Sequence, residues 1–449
     1  MPYDFGLAGS SPVATIEING VVTWNQSRNV SQSILVKSGA KLVIERDPLN
    51  PSTPVTINMG KMQIITIEPG AALIVDNATI TNECATMWGG IAVLGTANMP
   101  HTGIPIPTNV ATGISPTSLL TTATWQHHGI VWLKNNSTLS NAQIAICTGS
   151  FWYNIGSTYP NESGDGGGLV FLQNALLKNN RKSIAFRYFN KPYSGFVEHS
   201  QFIADAFLSE GYYLDLAGNK MGQPEFITAW GIDGLLLQNN EFSQVHSNDY
   251  PPNGNYGIAI FGIDAGMNIN NNIFNNLKAG IKVFYSPANF LWADLHHNQM
   301  FKVQEGIYVN GYKHKSGIHH NYIDISFVDN YFLTPQLNFP TTSFGIYADV
   351  STGINIQENT ITYDQNDILP AFIGLDQTWG IVVHTTDGIF SKVRLNTIND
   401  IKFGITAIGK NDNMQINCNQ FSNPNVHLAG KVYNIWLSDA PSGIEGTLQ

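Results

Sequence analysis

Two histidine pairs are the residues of this chain best suited to chemistry. His296 and His297 stand in "DLHHNQM" (294–300), and His319 and His320 stand in "GIHHNYI" (317–323). Four imidazoles at this spacing could ligate a transition metal, move protons, or form a polar stripe. The element that carries them, and whatever stands beside them, decides between these. Other reactive groups are sparse. Cys84, Cys147 and Cys418 lie far apart, with no CxxC and no zinc-like spacing, and are read as buried, unpaired cysteines. Asp264, Asp294 and Asp324 come nearest to an acidic set, and each is read as a turn residue.

The His pairs belong to a repeat. "LLLQNNEF" (235–242), "NINNNIF" (268–274), "DLHHNQM", "GIHHNYI", "NIQENTI" (355–361), "KVRLNTI" (392–398) and "QINCNQF" (415–421) share one pattern. Each has an aliphatic residue, two variable residues, an Asn, one variable residue and an apolar residue. The shared Asn positions are Asn240, Asn272, Asn298, Asn321, Asn359, Asn396 and Asn419, with Asn330 a poorer alternative to Asn321. Upstream, "VFLQNAL" adds Asn174, and "GFVEHSQF" places Ser200 at the same point. A Gly-Ile element follows each of the first six of these units: "GIAIFG" (257), "GIKVFY" (280), "GIYVNG" (306), "GIYADV" (345), "GIVVHT" (380) and "GITAIG" (404).

The period runs from 23 to 38 residues, too irregular for a helical solenoid. The segments are rich in Ile, Val, Phe and Tyr and punctuated by Asn and Gly, which is strand chemistry. A coil of this kind cannot bury its inner face alone, so it stacks on its neighbours. The repeat therefore predicts an all-β chain, a single right-handed parallel β-helix (solenoid) with an Asn ladder and long loop insertions. Asn is expected at the corner both for its ladder hydrogen bonds and for its tolerance of left-handed backbone.

In that frame, the position two before the ladder reads Gln238, Asn270, His296, His319, Gln357, Arg394, Asn417, and the next reads Asn239, Asn271, His297, His320, Glu358, Leu395, Cys418. Both columns are variable and polar, and no carboxylate column supports the imidazoles. The four histidines read as a solvated stripe that binds no zinc or copper tightly, so no metal and no cofactor is expected.

The N-terminal half repeats the pattern with Gly-Ala corners in "ILVKSGAKLVIE" (34–45) and "IITIEPGAALIVDNATI" (64–80). The β-helix is expected over 15–440, between an N-terminal segment 1–14 and a tail 441–449. Insertions are expected at 96–124, 148–165, 209–230, 246–256, 322–344 and 360–379, where function commonly sits.

Composition narrows the function classes. Of 449 residues only 12% are charged, 43% are hydrophobic, and the net charge is −10. With no Lys/Arg-rich run, nucleic acid is not an expected partner. No apolar run approaches the ~18 residues of a membrane span, so membrane insertion is not expected. "MPYDFGLAGSSPVA" has neither the basic region nor the apolar core of a signal peptide.

The segments "GAALIVDNATITNECATMWGGIAVLG" and "GGGLVFLQNALLKNNRKSIAFRYF", followed by "INCNQF", resemble the secreted right-handed parallel β-helix proteins of Bacteroidota, in the pectate-lyase-like superfamily. The resemblance covers most of residues 30–435. It implies export by the type IX route, an extracellular or cell-surface location, and a place among large surface or adhesive proteins. Such proteins carry a leader and a C-terminal sorting domain, which this chain lacks, so it is expected to be a shortened or processed form, or one chain of a larger assembly.

The superfamily also holds polysaccharide lyases and glycosidases. Their chemistry needs clustered carboxylates, or a base with calcium-holding carboxylates. The NTD, DD, GHG and RIK motifs of polygalacturonase-like members are absent. The outward residues two after each Gly read Ala259, Lys282, Tyr308, Tyr347, Val382 and Thr406, with no stacked carboxylates, and Arg394 and Glu358 fall in different columns. No catalytic residue is assigned. The expected function is a non-catalytic extracellular structural or adhesive protein. It acts as a rigid β-helix building block of a homo-oligomer or larger surface assembly. The alternatives are a lyase or glycosidase, or a carbohydrate-binding β-helix with a cell-surface glycan as ligand, in which Trp152, Tyr153 and Tyr159 could stack on sugars, although they are read first as capping the side of the solenoid. The apolar arms 322–344 and 360–379, with segment 1–14, are the expected contacts between chains.

Overall fold

In a computed structural model of the chain, the structure describes residues 15–47, 49–50, 52–83, 86–101, 126–150, 166–205, 213–214, 220–221, 225–244, 256–262, 266–284, 293–311, 317–325, 343–363, 378–384, 391–411, 413–422 and 433–438. Segments 1–14 and 441–449, Cys84, Trp152, Tyr153, Tyr159, Asp264, Asn330 and most of the two arms lie outside the described residues. The described residues divide into two compact units, Met1–Leu236 and Leu237–Gln449. Both are built from parallel coils of three strands each.

In the first unit, strands Val21–Trp24, Lys41–Glu45, Ala72–Asp76, Ile130–Lys134, Leu169–Gln173 and Phe196–Glu198 pair in parallel, each with the next. Leu42, Leu73, Val131 and Val170 stack in one column and are fully buried. In the second unit, Met267–Asn270, Ala293–His296, Gly317–His319, Asn355–Gln357, Lys392–Arg394 and Gln415–Asn417 pair in the same way. Their inward column is Ile269, Leu295, Ile318, Ile356 and Val393, again fully buried. Each such side chain contributes roughly 1.5–3 kcal/mol by leaving water. In the second unit period-2 alternation sends its neighbours outward, so one strand serves both core and surface, whereas in the first unit the neighbours Val43, Ile74, Trp132 and Phe171 are buried as well. Among the described residues no helix is long and apolar enough to cross a membrane.

The Gly-Ile element supplies a second inward column: Ile258, Ile281, Ile307, Ile346, Ile381 and Ile405. The Gly before it allows close approach. A Cβ on Gly345 would lie 2.5 Å from Ile361 Cγ2 and 2.7 Å from Gly380 O. Several expected insertions prove shorter than their sequence bounds, because Glu225–Trp230, Tyr322–Asp324 and Thr360–Thr362 are strands.

The corner carries the Asn ladder. Asn272 Oδ1 accepts from Asn240 N and Nδ2, both at 3.0 Å. The same double acceptance continues through Asn298, Asn321, Asn359, Asn396 and Asn419. From Asn272 to Asn419 each Nδ2 also reaches a backbone carbonyl, as Asn272 does to Leu237 O at 3.0 Å. In the first unit Ser200 Oγ does part of this work, accepting from Ala175 N.

Two expectations about the corner are corrected. Asn174 is not a ladder residue. It follows directly on the Gln173–Glu198 register pair, as His199 does on the next coil, and both are left-handed, with φ 52° and 49°; Ala175 holds the place opposite Ser200. The left-handed residue is also not the ladder Asn but the one before it. Asn239, Asn271, His297, His320, Glu358, Leu395 and Cys418 all have φ between 53° and 57°. The ladder amide fixes the corner from outside, so residues with little left-handed preference are held there. One of them, Cys418, is exposed, against the expectation of burial.

Candidate functional site

The opening histidines follow from this corner. His296 and His319 are outward strand-end residues in register, and His297 and His320 are the left-handed residues after them. The rings stack in two files, His296 on His319 at 5.1 Å and His297 on His320 at 4.8 Å, each within 2° of parallel. Across the files, Nδ1 faces Nδ1 at 2.8 Å for His296–His297 and at 2.9 Å for His319–His320.

The expectation that no carboxylate supports these rings is overturned. Asp294 Oδ1 lies 2.9 Å from His319 Nε2, and Glu358 Oε2 lies 2.7 Å from His320 Nε2. Asp294 is a strand residue, as is Asp324, where turns were expected. Burial holds the His296 pKa below its usual value, opposed by Asp294 and assisted by the other three rings. Glu358 and Arg394 are not partners: Arg394 Nε and Nη2 donate to Gln357 Oε1 at 3.0 and 2.8 Å.

A second constellation lies on the outer face of the Gly-Ile sheet in the second unit. Ile307 and Val309 point inward, so Tyr308 and Asn310 point out. Tyr308 stands in register with Lys282 and Tyr347, and Asn310 with Phe284, Asp349 and, one coil further, His384. His384 Nδ1 is 2.8 Å from Asp349 Oδ1. Asn310 Nδ2 donates to Asp349 Oδ2 at 2.8 Å and to Tyr308 Oη at 3.2 Å, and Tyr308 Oη is 3.5 Å from Asp349 Oδ2. Lys282 Nζ pairs with Glu305 at 2.5 Å and lies over the Tyr256 ring at 4.6 Å. Burial raises the pKa of Tyr308 and Tyr347, and the Asp349 charge adds to both. Burial lowers that of Lys278, opposed by Glu305.

Beside this polar group runs an aromatic file. Phe344, Trp379, Phe403 and Tyr433 are register partners on successive coils. Trp379 and Phe403 stack at 5.6 Å, and Phe403 and Tyr433 at 5.5 Å and 5°. Trp379 and Phe403 are half-buried and Tyr433 is exposed, so the rings cover one another's faces and present their outer edges as an apolar strip.

Sequence reasoning missed Asp349 and His384 because it followed only the residue two after each Gly. The next outward residue, four after the Gly, gives Phe261, Phe284, Asn310, Asp349, His384 and Ile408. That second file carries the signal.

No family model matches the chain, and no curated protein matches it. Among solved structures it is similar to the A-module of mannuronan C-5 epimerase AlgE6 from Azotobacter vinelandii, at 11% identity and a TM-score of 0.29 over 92% of this chain and 91% of that one. It is also similar to a GH136 lacto-N-biosidase from Eubacterium ramulus, at 11% identity and a TM-score of 0.20 over 88% of this chain and 62% of that one. Neither likeness carries an activity across.

Proposed function

We propose that this protein is a non-catalytic extracellular adhesive or structural β-helix whose second unit holds a glycan chain along its outer face. The supporting observation is the solvent-reaching file Trp379–Phe403–Tyr433, continued inward by buried Phe344, set beside Tyr308, Asn310, Tyr347, Asp349 and His384. A strip of aromatic edges gives the C–H faces of sugar rings an apolar surface to lie on, while a few fixed polar groups take up hydroxyls. Successive coils repeat about every 4.8 Å, so the file offers several contacts to an extended polymer. With this reading goes a homo-oligomeric or larger surface assembly, in which many weak sites act together. The test is a glycan array followed by affinity electrophoresis in the retained polysaccharide. Retention is expected for the full chain and is lost in Trp379→Ala. Retention unchanged in both Trp379→Ala and Phe403→Ala would overturn the reading.

One observation favours a second reading, acid–base cleavage of a polysaccharide. The Asp349–His384 contact orients an imidazole as a general base needs, and the Tyr308 hydroxyl is in reach of the same carboxylate. This reading requires new reducing or unsaturated ends on incubation with a retained glycan, abolished by His384→Ala. The adhesive reading requires none.

A further inference from the structure

We propose that the His319–His320 pair, backed by Asp294 and Glu358, binds a divalent first-row transition ion, with Cu(II) or Ni(II) preferred over Zn(II). Four side chains form a row with three contacts: Asp294 to His319 Nε2 at 2.9 Å, His319 Nδ1 to His320 Nδ1 at 2.9 Å, and His320 Nε2 to Glu358 at 2.7 Å. Each contact between two acceptors needs a proton. Two neutral imidazoles bring one proton each, and ionised carboxylates are the stronger acceptors, so both protons go to Nε2. Two Nδ1 lone pairs are then left facing each other. A cation must fill that gap, either a third proton or a metal ion.

The spacing selects the ion. With metal–nitrogen bonds of about 2.0–2.1 Å, as for zinc and imidazole, a 2.9 Å separation gives a bite of about 90°. A right angle suits square-planar or tetragonal Cu(II) and Ni(II), whereas a tetrahedral ion needs a wider bite. The rings meet at 80° and both are partly exposed, so a small turn of each toward solvent brings both lone pairs onto an ion on the open side. The carboxylates fix the tautomer that leaves Nδ1 free to ligate, the usual role of groups behind a metal-bound imidazole. The stacked His296–His297 pair repeats the contact at 2.8 Å, but among the described residues its carboxylate contact, Asp294 to His296, is at 3.9 Å, so it is the weaker position. Among the described residues no three His, Cys, Asp or Glu side chains converge on one point. The site is therefore a two-nitrogen chelate, with water completing the coordination. The sequence expectation of no metal rested on missing carboxylates, and the fold supplies two.

The test is titration of the full chain with Cu(II) in a non-coordinating buffer, followed by calorimetry and electron paramagnetic resonance. Circular dichroism confirms the fold of each variant. Expected results are micromolar binding with hyperfine structure from two nitrogens, loss of that signal in His320→Ala, and a weakening of about ten- to a hundredfold in Glu358→Gln. His199→Ala should bind as the parent does. The proposal is overturned if the His319→Ala/His320→Ala double variant keeps the parent affinity, if Glu358→Gln has no effect, or if the full chain takes up no copper in the micromolar range.

Discussion

Asn298 Oδ1 accepts both the backbone N–H and the side-chain amide of Asn272, each at 3.1 Å. Its own Nδ2 donates to Ile269 O at 2.9 Å and to Asn321 Oδ1 at 3.1 Å. The residue is 0% exposed, so no water can replace any of these bonds. Asn298→Ala strands the Asn272 N–H in the interior, takes an acceptor from the Asn272 side-chain amide, removes one of the donors to the Ile269 carbonyl and leaves a cavity. At about 1–3 kcal/mol per buried unsatisfied group, the expected loss is several kcal/mol. Urea unfolding should show a clear drop in midpoint. Asn419→Ala, at the partly exposed end of the ladder, should lose much less. Equal losses at the two sites would sink the account of the ladder as a buried network.

The glycine before each Gly-Ile strand is needed for closeness. A Cβ on Gly345 would meet Ile361 Cγ2 at 2.5 Å and Gly380 O at 2.7 Å, and the carbonyl belongs to the next coil and has little freedom to retreat. Gly345→Ala should cost about 1–3 kcal/mol through overpacking. The check is thermal unfolding. A variant as stable as the parent would mean that the coils separate there at no cost.

Much of the fold was legible because a stacked coil writes its geometry into a column. The Asn spacing could vary from 23 to 38 residues without obscuring it, since insertions leave the corner in place. Asn174 was misplaced because a corner admits Asn at two adjacent positions for different reasons, left-handed backbone at one and ladder bonds at the other. His319 and His320 were visible as a pair. Their carboxylates were not, because Asp294 and Glu358 come from the coils on either side and become neighbours only on stacking. The Asp349–His384 contact was hidden for the same reason: the two residues are 35 apart in sequence and one coil apart in space.

Acid should destabilise the first unit at a definite place. His101 is buried, stacked on Phe189 at 4.1 Å and edge-on to His128 at 4.4 Å, and both imidazoles contact Gly167 O. Burial first, and the neighbouring His128 second, push its pKa down from 6.5 to about 3. The unfolded chain takes up a proton near pH 6.5 that the folded chain refuses until about pH 3. The stability is therefore whole above pH 6.5 and is lost progressively as pH falls through that window. His128, whose pKa is lowered chiefly by burial, adds loss in the same direction. Unfolding free energies between pH 7 and pH 4 should fall for the parent and fall less steeply for His101→Gln. Parallel curves would remove His101 from the account.

Leu395 offers the opposite kind of change, a gain in stability. It holds the left-handed corner at φ 57°, where its relatives on other coils are Asn239, Asn271 and the two histidines. Its side chain is 46% exposed and so recovers little by burial. A left-handed backbone costs an ordinary residue roughly 1–2 kcal/mol, and Gly and Asn are the residues that visit it routinely. Leu395→Asn should therefore raise stability by about 1 kcal/mol, with Leu395→Gly gaining less because it also loosens the unfolded chain. The corner bond Leu395 N to Asn417 O, at 3.4 Å, should be kept in both. Glu358→Asn, at the same corner one coil earlier, relieves the same backbone but gives up the 2.7 Å contact to His320, so its gain should be smaller. Chemical denaturation of the three variants ranks them. A destabilised Leu395→Asn would mean that the Leu395 side chain contributes packing that its exposure does not reveal.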